Sequence, residues 1–414
     1  MILEFRCSNY KSIDNEVTLS MMATSAKEHK ESLLYYNDKG VLPVVAIYGA
    51  NGAGKTNILN ALGYLHYMVC NSDSFRPGER IPFFPHKLSN KNKSEFSIQL
   101  NINGVRYIYG FSNDNEEIIE EYLYHFKSNR QAKIFERTGE SYTFGANYKR
   151  DLTQVKNKNS KKNKLFLSVS AININNNDIV DVFKYIFDNL TINTSIDNDN
   201  WKHKSLVLMN HNIEYKESFI SILKALDIGI EDININITKS KTNYEDLPQE
   251  MPEELKMFLS KNESESIEVK IKYGNLEVNL NEESRGINKL FEIAIPLIDV
   301  LKNGRVLIFD ELETSMHPII VKTLIKLFND KTLNNSGAQL IFTTHDINLL
   351  DIDLFRRDQI WFVEKLKKDM STNIYSLVEL KNIRGDENIE NGYIRGKYGS
   401  IPFVNTGNIK NILL

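Results

Sequence analysis

The stretch Val44-Val45-Ala46-Ile47-Tyr48-Gly49-Ala50-Asn51-Gly52-Ala53-Gly54-Lys55-Thr56 decides how the chain is read. It holds GxxxxGKT in full, as GANGAGKT from Gly49 to Thr56. The apolar residues Val44 to Ile47 suit a buried strand. After the loop, Ile58, Leu62, Leu65 and Val69 recur at three- and four-residue spacing, which predicts a helix with one buried face, ending near Cys70. The glycines therefore stand at a strand-to-helix turn, the setting that makes this motif a phosphate-binding loop. A polyphosphate needs many donors close around it. Gly49, Gly52 and Gly54 let the backbone curl so that its N–H groups point inward, with Asn51 in the same loop. The helix start adds its partial positive end. The Lys55 ammonium is expected to bridge the β- and γ-phosphates of ATP, and the Thr56 hydroxyl to bind Mg²⁺.

A second group of residues lies far along the chain. Val306-Leu307-Ile308-Phe309 is an apolar strand that runs into Asp310 and Glu311. At the carboxyl end of a parallel strand, where ligands gather, Asp310 can hold Mg²⁺ and Glu311 can take a proton from an attacking water. Leu340-Ile341-Phe342-Thr343-Thr344-His345 is the next strand, and the His345 imidazole can sense a γ-phosphate by a hydrogen bond. Glu283-Ser284-Arg285-Gly286 precedes a helix whose apolar face is Leu290, Ile293, Leu297 and Leu301. Ser284 is a natural N-cap there, and Ser284 with Gly286 at a helix start can also bind phosphate. Lys55 and Asp310 stand 255 residues apart (310 − 55), so a large insertion divides the nucleotide fold.

The rest of the chain frames these pieces. Its 414 residues, 41% hydrophobic and 25% charged, suit a soluble protein of one large composite domain or a few smaller ones. A net charge of −3 gives no global pull towards nucleic acid. Cys7 and Cys70 are the only cysteines and form no CxxC pair, so reduced thiols in a cytoplasm are expected. The opening MILEFRCSNYKS lacks the apolar core of a signal peptide, and no apolar run approaches membrane-spanning length. Residues 2–20 read as two strands around a turn at Asn9 to Ser12, residues 21–40 as loop, and residues 71–93, with Pro77, Pro82 and Pro85, as a surface loop. Residues 95–146 read as β-rich, with a hairpin at Asn103-Gly104. Residues 149–164 carry Lys149, Arg150, Lys156, Lys158, Lys161, Lys162 and Lys164 against Asp151 alone. They read as a flexible basic loop, whose functional alternative is contact with a nucleic-acid backbone. Residues 177–262 read as mostly helical, and 267–280 as strands around Tyr273-Gly274-Asn275. Three parts follow: 1–170, an N-terminal part with the phosphate loop and a β-rich lobe; 171–265, a mainly helical insertion; and 266–414, a C-terminal part.

GANGAGKT, ESRG, VLIFDE, the following ETSMHP and IFTTH together resemble the ABC-type ATPase heads of the SMC, RecF and OLD kind. The resemblance implies an α/β, ABC-ATPase-type P-loop fold and Mg²⁺-dependent ATP hydrolysis. It also implies that Ser284 and Gly286 contact the γ-phosphate of ATP held by a second subunit, and that Glu313 to His317 match the loop crossing that interface. FRCSNYKSIDNEVTLSM and RRDQIWFVEK…GYIRGKYGSIPF look more narrowly like ATPase components of bacterial anti-phage systems, of the abortive-infection AbiL and PARIS kind. These resemblances cover about residues 1–65 and 280–404. The signature is not the LSGGQ of transporters, and Glu313 stands where relatives often carry Asp. The glutamine that often follows the phosphate loop has no secure match, with Gln99 a candidate. The expectation is an ATP-driven sensor or regulator of a defence system. It would associate with itself head to head and control a separate, nuclease-like effector, with nucleic acid a possible further partner and no membrane. A RecF-like repair or recombination ATPase is the alternative. Only 69 residues follow His345 (414 − 345), too few for the nuclease domain of OLD proteins, so any nuclease is expected on another chain.

Overall fold

Val44–Tyr48 is buried along its whole length, as a strand covered on both faces must be. In a computed structural model, residues 1–127, 130–159, 161–194, 201–241, 253, 263–381, 383 and 387–401 are described. The first strands are β1 (Ile2–Ser8), β2 (Val17–Ser20), β3 (Leu34–Tyr36), β4 (Lys39–Val41) and β5 (Val44–Tyr48), followed by helix α1 (Lys55–Asn71). Then come β6 (Ser94–Ile102), β7 (Val105–Asn113), β8 (Ile118–His125), β9 (Ala132–Thr138), β10 (Ser141–Phe144) and β11 (Leu190–Asn193). β12 (Asp232–Lys241), β13 (Glu263–Tyr273) and β14 (Leu276–Asn279) precede β15 (Val306–Phe309), β16 (Gln339–Thr343), β17 (Ile360–Lys365) and β18 (Thr372–Ser376).

The chain divides into two compact units. The first comprises Met1–Asn198, Val300–Thr314 and Val321–Leu414. Its central sheet has the order β11-β15-β16-β5-β17-β18. All neighbours pair parallel except β17 with the edge strand β18. Residues 306–309 and 339–343 are buried throughout, as apolar strands in the middle of a parallel sheet should be. α1 buries Ile58, Leu62, Leu65 and Val69, the face read from their spacing. A second, antiparallel sheet has the order β10-β9-β8-β7-β6-β1-β2 and forms the expected β-rich lobe. Asn103 and Gly104, at φ 50° and 80°, make its tight turn between β6 and β7, since both central residues of such a hairpin are left-handed. On β8 of that sheet, the buried Glu121 carboxylate accepts the Phe166 and Leu167 N–H groups and the Tyr109 hydroxyl, which anchors the start of helix Phe166–Asn173.

Three segments of the first unit differ from the sequence reading. Within 21–40, Leu34–Tyr36 and Lys39–Val41 pair as a hairpin turning at Asn37, φ 46°. Within the supposed basic loop, Lys149–Asn159 is a helix. Leu152 and Val155, three residues apart, sit in the core and hold it there, while Lys149, Arg150 and Lys158 stay exposed. After helix Asn177–Asn189, Leu190–Asn193 is not helical but joins the central sheet beside β15.

The second unit comprises Asp199–Asp299 and Ser315–Ile320. It contains the expected helices, here Trp201–His211 and Ile213–Ala225, and also a sheet of order β12-β13-β14. Residues 242–252 and 254–262 of the expected insertion lie outside the described residues, as does the end of GYIRGKYGSIPF from Pro402. Phe219 and Phe291 meet edge to face at 4.8 Å in the core of this unit. Among the described residues no helix is long and apolar enough to cross a membrane.

The first unit is stapled by a fully buried ion pair. Arg356 is 0% exposed and donates from Nε and Nη2 to both oxygens of Asp358 at 2.9 Å. Asp358 also accepts the Thr24 N–H and hydroxyl, and Arg356 donates to the Ala26 carbonyl. Removing one partner strands a buried charge. Asp358→Ala is therefore expected to lower stability by about 3–5 kcal/mol, read as a lower denaturant midpoint at unchanged slope.

Candidate functional site

The parallel pairing of β15, β16 and β5 brings three strand ends to one edge of the sheet. β5 runs into the loop Gly49–Gly54, β15 into Asp310 and Glu311, and β16 into Thr344 and His345. The loop is tightly tied. A Cβ on Gly49 would lie 2.3 Å from the Val363 carbonyl oxygen. Gly54 has φ +112°, and a Cβ there would lie 2.1 Å from Thr372 Oγ1. That hydroxyl donates to the Ala53 carbonyl and pairs with Ser12 Oγ, which also accepts from the Asn57 amide.

Gly54 is also the N-cap of α1, so no side chain caps the helix. Its first N–H groups remain available to an anion. Lys55, 5% exposed, donates from Nζ to the Gly49 carbonyl at 2.8 Å and the Ala50 carbonyl at 3.3 Å. Burial pulls its pKa below the ordinary lysine value, against the opposite pull of Asp310, Glu311 and Glu313. Lys55 Nζ also lies 3.4 Å from His345 Nδ1. Burial, and then the Lys55 charge, hold the imidazole below its ordinary value, so it is neutral at neutral pH. An imidazole that accepts Lys55 at Nδ1 carries its proton on Nε2, which faces Glu311 Oε1 at 3.7 Å.

Thr56 and Asp310 meet directly, the hydroxyl donating to Oδ2 at 2.9 Å. A hydroxyl and a carboxylate are the hard oxygen donors that Mg²⁺ takes, its other positions going to water and phosphate, so these residues fit that ion. Asn51, Gly52, Gly54, Lys55, Thr56, Glu311 and His345 line a depression of about 330 Å³. A second depression, of about 680 Å³, shares Asn51, Gly52 and His345 with it and extends to Tyr393 and Ser400.

A family model described as "AAA domain, putative AbiEii toxin, Type IV TA system" matches residues 44–351. The chain belongs to this AAA-domain family. The matched span of the AAA chain runs from the first residue of β5 past His345 and so takes in Lys55, Thr56, Asp310, Glu311 and His345. No curated protein matches in sequence. Among solved structures, an SMC head bound to the C-terminal winged-helix domain of ScpA is 16% identical at a TM-score of 0.43, over 91% of this chain and 97% of that one. The SMC head domain of Thermotoga maritima is 13% identical at 0.42, over 91% and 98%. The Pyrococcus furiosus Smc head with an extended coiled coil, bound to the C-terminal domain of ScpA, is 14% identical at 0.43, over 91% and 96%. Overlaps this loose leave the fold of the AAA chain to be read from its own sheet order.

Of the residues named from sequence, Gly49, Asn51, Gly52, Gly54, Lys55, Thr56, Asp310, Glu311 and His345 all belong to these three strand ends. Ser284 and Gly286 are not of this set and belong to the second unit. There Ser284 Oγ accepts the Ile287 N–H, the expected cap of helix Arg285–Asn303, and Gly286 leaves a gap of only 2.9 Å from a Cβ position to the Ser315 carbonyl. Glu313, matched by resemblance to an interface loop, here accepts the His345 N–H within the chain. Gln99 donates to Glu4 and does not line the smaller depression. Sequence reasoning passed over Thr343, Ser12 and Thr372. Only Thr343 left a signal, a hydroxyl closing an apolar strand two residues before His345.

The tie between Gly54 and Thr372 has a direct test. Gly54→Ala would place a Cβ against the Thr372 hydroxyl in a left-handed conformation. It is expected to weaken ATP binding at least about tenfold, measured by isothermal titration.

Proposed function

We propose that this chain binds and hydrolyses ATP, and that it acts as a sensor or regulator in a bacterial anti-phage system. The observation that carries the ATPase reading is the meeting of an uncapped helix start, a buried lysine, a Thr–Asp oxygen pair and an exposed glutamate at three adjacent strand ends. Membership of the AAA-domain family supports it.

In this reading the loop N–H groups and the start of α1 receive the phosphates. Lys55 gives up the Gly49 and Ala50 carbonyls for the β- and γ-phosphate oxygens. Thr56 and Asp310 would hold Mg²⁺, which would neutralise charge developing on those oxygens. Glu311, 51% exposed at its side chain, accepts the proton of the attacking water. His345, neutral with Nε2–H on the side of Glu311, donates to the γ-phosphate. Ser284 and Gly286 complete the site of a second subunit, so two copies enclose two ATP molecules. ATP then stabilises only the associated form, and hydrolysis loosens it.

The defence role, with a separate nuclease-like effector, is supported by the family description, which names an AbiEii toxin of a Type IV system, and by the resemblance of the chain ends. A reducing cytoplasm fits Cys7 and Cys70, free thiols whose pKa burial pushes upward.

Two experiments test this. Lys55→Ala is expected to weaken ATP binding about 10–100-fold, whereas Glu311→Gln is expected to bind ATP normally and turn over about 10²–10⁴-fold more slowly. Wild-type turnover by Glu311→Gln would remove the base from the mechanism. For the shared site, Lys55→Ala and Ser284→Arg subunits are mixed. A mixed pair has one site with both defects and one with neither, so activity should rise above either mutant alone. No rise, despite demonstrated subunit exchange, would exclude the shared site.

A further inference from the structure

Glu311 poses a problem that its own side chain does not solve. It is the proposed base, yet its carboxylate is half exposed and, among the described residues, makes only long contacts, 3.4 Å from the Thr314 hydroxyl and 3.7 Å from His345 Nε2. Its backbone is unusual in compensation. Glu311 has φ +54°, a left-handed conformation that costs any residue with a Cβ. Such a conformation persists only where neighbouring groups fix it.

The neighbour that fixes it is Thr343, the last residue of β16, 0% exposed. Its Oγ1 accepts the Glu311 N–H at 2.8 Å and stands 2.6 Å from Asp310 Oδ1. The direction of this chain is forced. An amide can only donate and a carboxylate can only accept, so the hydroxyl proton must point at Asp310. One side chain thus grips two consecutive residues, the cation-holding carboxylate through its oxygen and the base through its amide. The Leu312 N–H donates to the Thr343 carbonyl and closes the grip from the other side. Among strand-compatible residues only Thr and Ser can accept and donate in this way. Thr also keeps the β-branched shape that a buried strand favours.

We infer that Thr343 is a positioning residue, which sets the backbone of Glu311 and the orientation of Asp310 through a single hydroxyl. Because Asp310 also accepts the Thr56 hydroxyl, the phosphate loop and the base are aligned through the same carboxylate. This rests on the ATPase reading for its consequence in turnover, but not for the grip itself. Partners behind a metal-holding carboxylate commonly matter 10–100-fold to affinity or activity.

The test compares Thr343→Val, which keeps the shape and loses the hydroxyl, with Thr343→Ser, which keeps the hydroxyl. Amide hydrogen exchange over residues 310–314 is measured without nucleotide, and ATP affinity, turnover and the Mg²⁺ half-activation concentration are measured with it. Thr343→Val is expected to exchange faster than wild type. Its turnover should fall at least about tenfold, its Mg²⁺ half-activation should rise several-fold, and its ATP affinity should stay within about threefold. Thr343→Ser should restore turnover to within about threefold and protection to near wild type. Wild-type turnover and protection in Thr343→Val would overturn the inference, and so would an equal loss in both variants, because packing would then be the cause. If Thr343→Val does not fold, Thr343→Ala, which likewise lacks donor and acceptor, takes its place under the same criteria. A folded wild-type chain without ATP turnover would contradict the ATPase reading instead, and the exchange comparison would still decide the grip.

Discussion

Parallel pairing of β15, β16 and β5 is the constraint on which the candidate site depends. In register, Phe309 stands beside Phe342, and Thr343 beside Ile47, so the three chains leave the sheet at one level. A slip of one residue would turn every side chain of a strand to the other face. It would carry Asp310 away from Thr56 and His345 away from Lys55. The apolar residues that hold the register are therefore the means by which residues nearly 300 positions apart in sequence become hydrogen-bond partners, as Lys55 and His345 are. The chemistry sits at the carboxyl ends, where helix starts and strand-end loops leave unpaired backbone donors.

Several polar groups at these strand ends pair with one another. Lys55 takes backbone carbonyls, Thr56 and Thr343 share Asp310, and Glu313 takes the His345 amide. The two Lys55 contacts stand where contacts to phosphate would be made in the proposed ATPase. A buried ammonium already lowered in pKa by desolvation gains most from a new anion. The site is thus preorganised in position and exchangeable in partners. In the proposed ATPase, Glu311 and His345 would both respond to the nucleotide state.

How much of this could be read in the sequence follows from how local each feature is. The strand–glycine loop–helix unit was legible because strand, glycines, lysine and helix lie within a few turns of chain. Asp310 and His345 were legible as polar residues closing apolar strands. The AAA-domain match then spans that same stretch of chain. The helix at Lys149–Asn159 was misread because lysines and asparagines hide an anchor of only two residues, Leu152 and Val155, whose burial depends on a distant core. Leu190–Asn193 was misread because a four-residue strand after a helix has no period of its own, and only β15 beside it makes it a strand. Thr372 was beyond reach. Its hydrogen bond to the Ala53 carbonyl joins residues 319 apart (372 − 53) and leaves no mark in either neighbourhood.

A crystal structure with a non-hydrolysable ATP analogue and Mg²⁺ tests the central claim most directly. The account predicts β- and γ-phosphates against the N–H groups of Gly52 to Thr56, with Lys55 Nζ moved off the Gly49 and Ala50 carbonyls. It also predicts Mg²⁺ between Thr56 and Asp310, and Glu311 still left-handed under Thr343. A nucleotide bound elsewhere, or bound here with Lys55 still on its carbonyls, would contradict it.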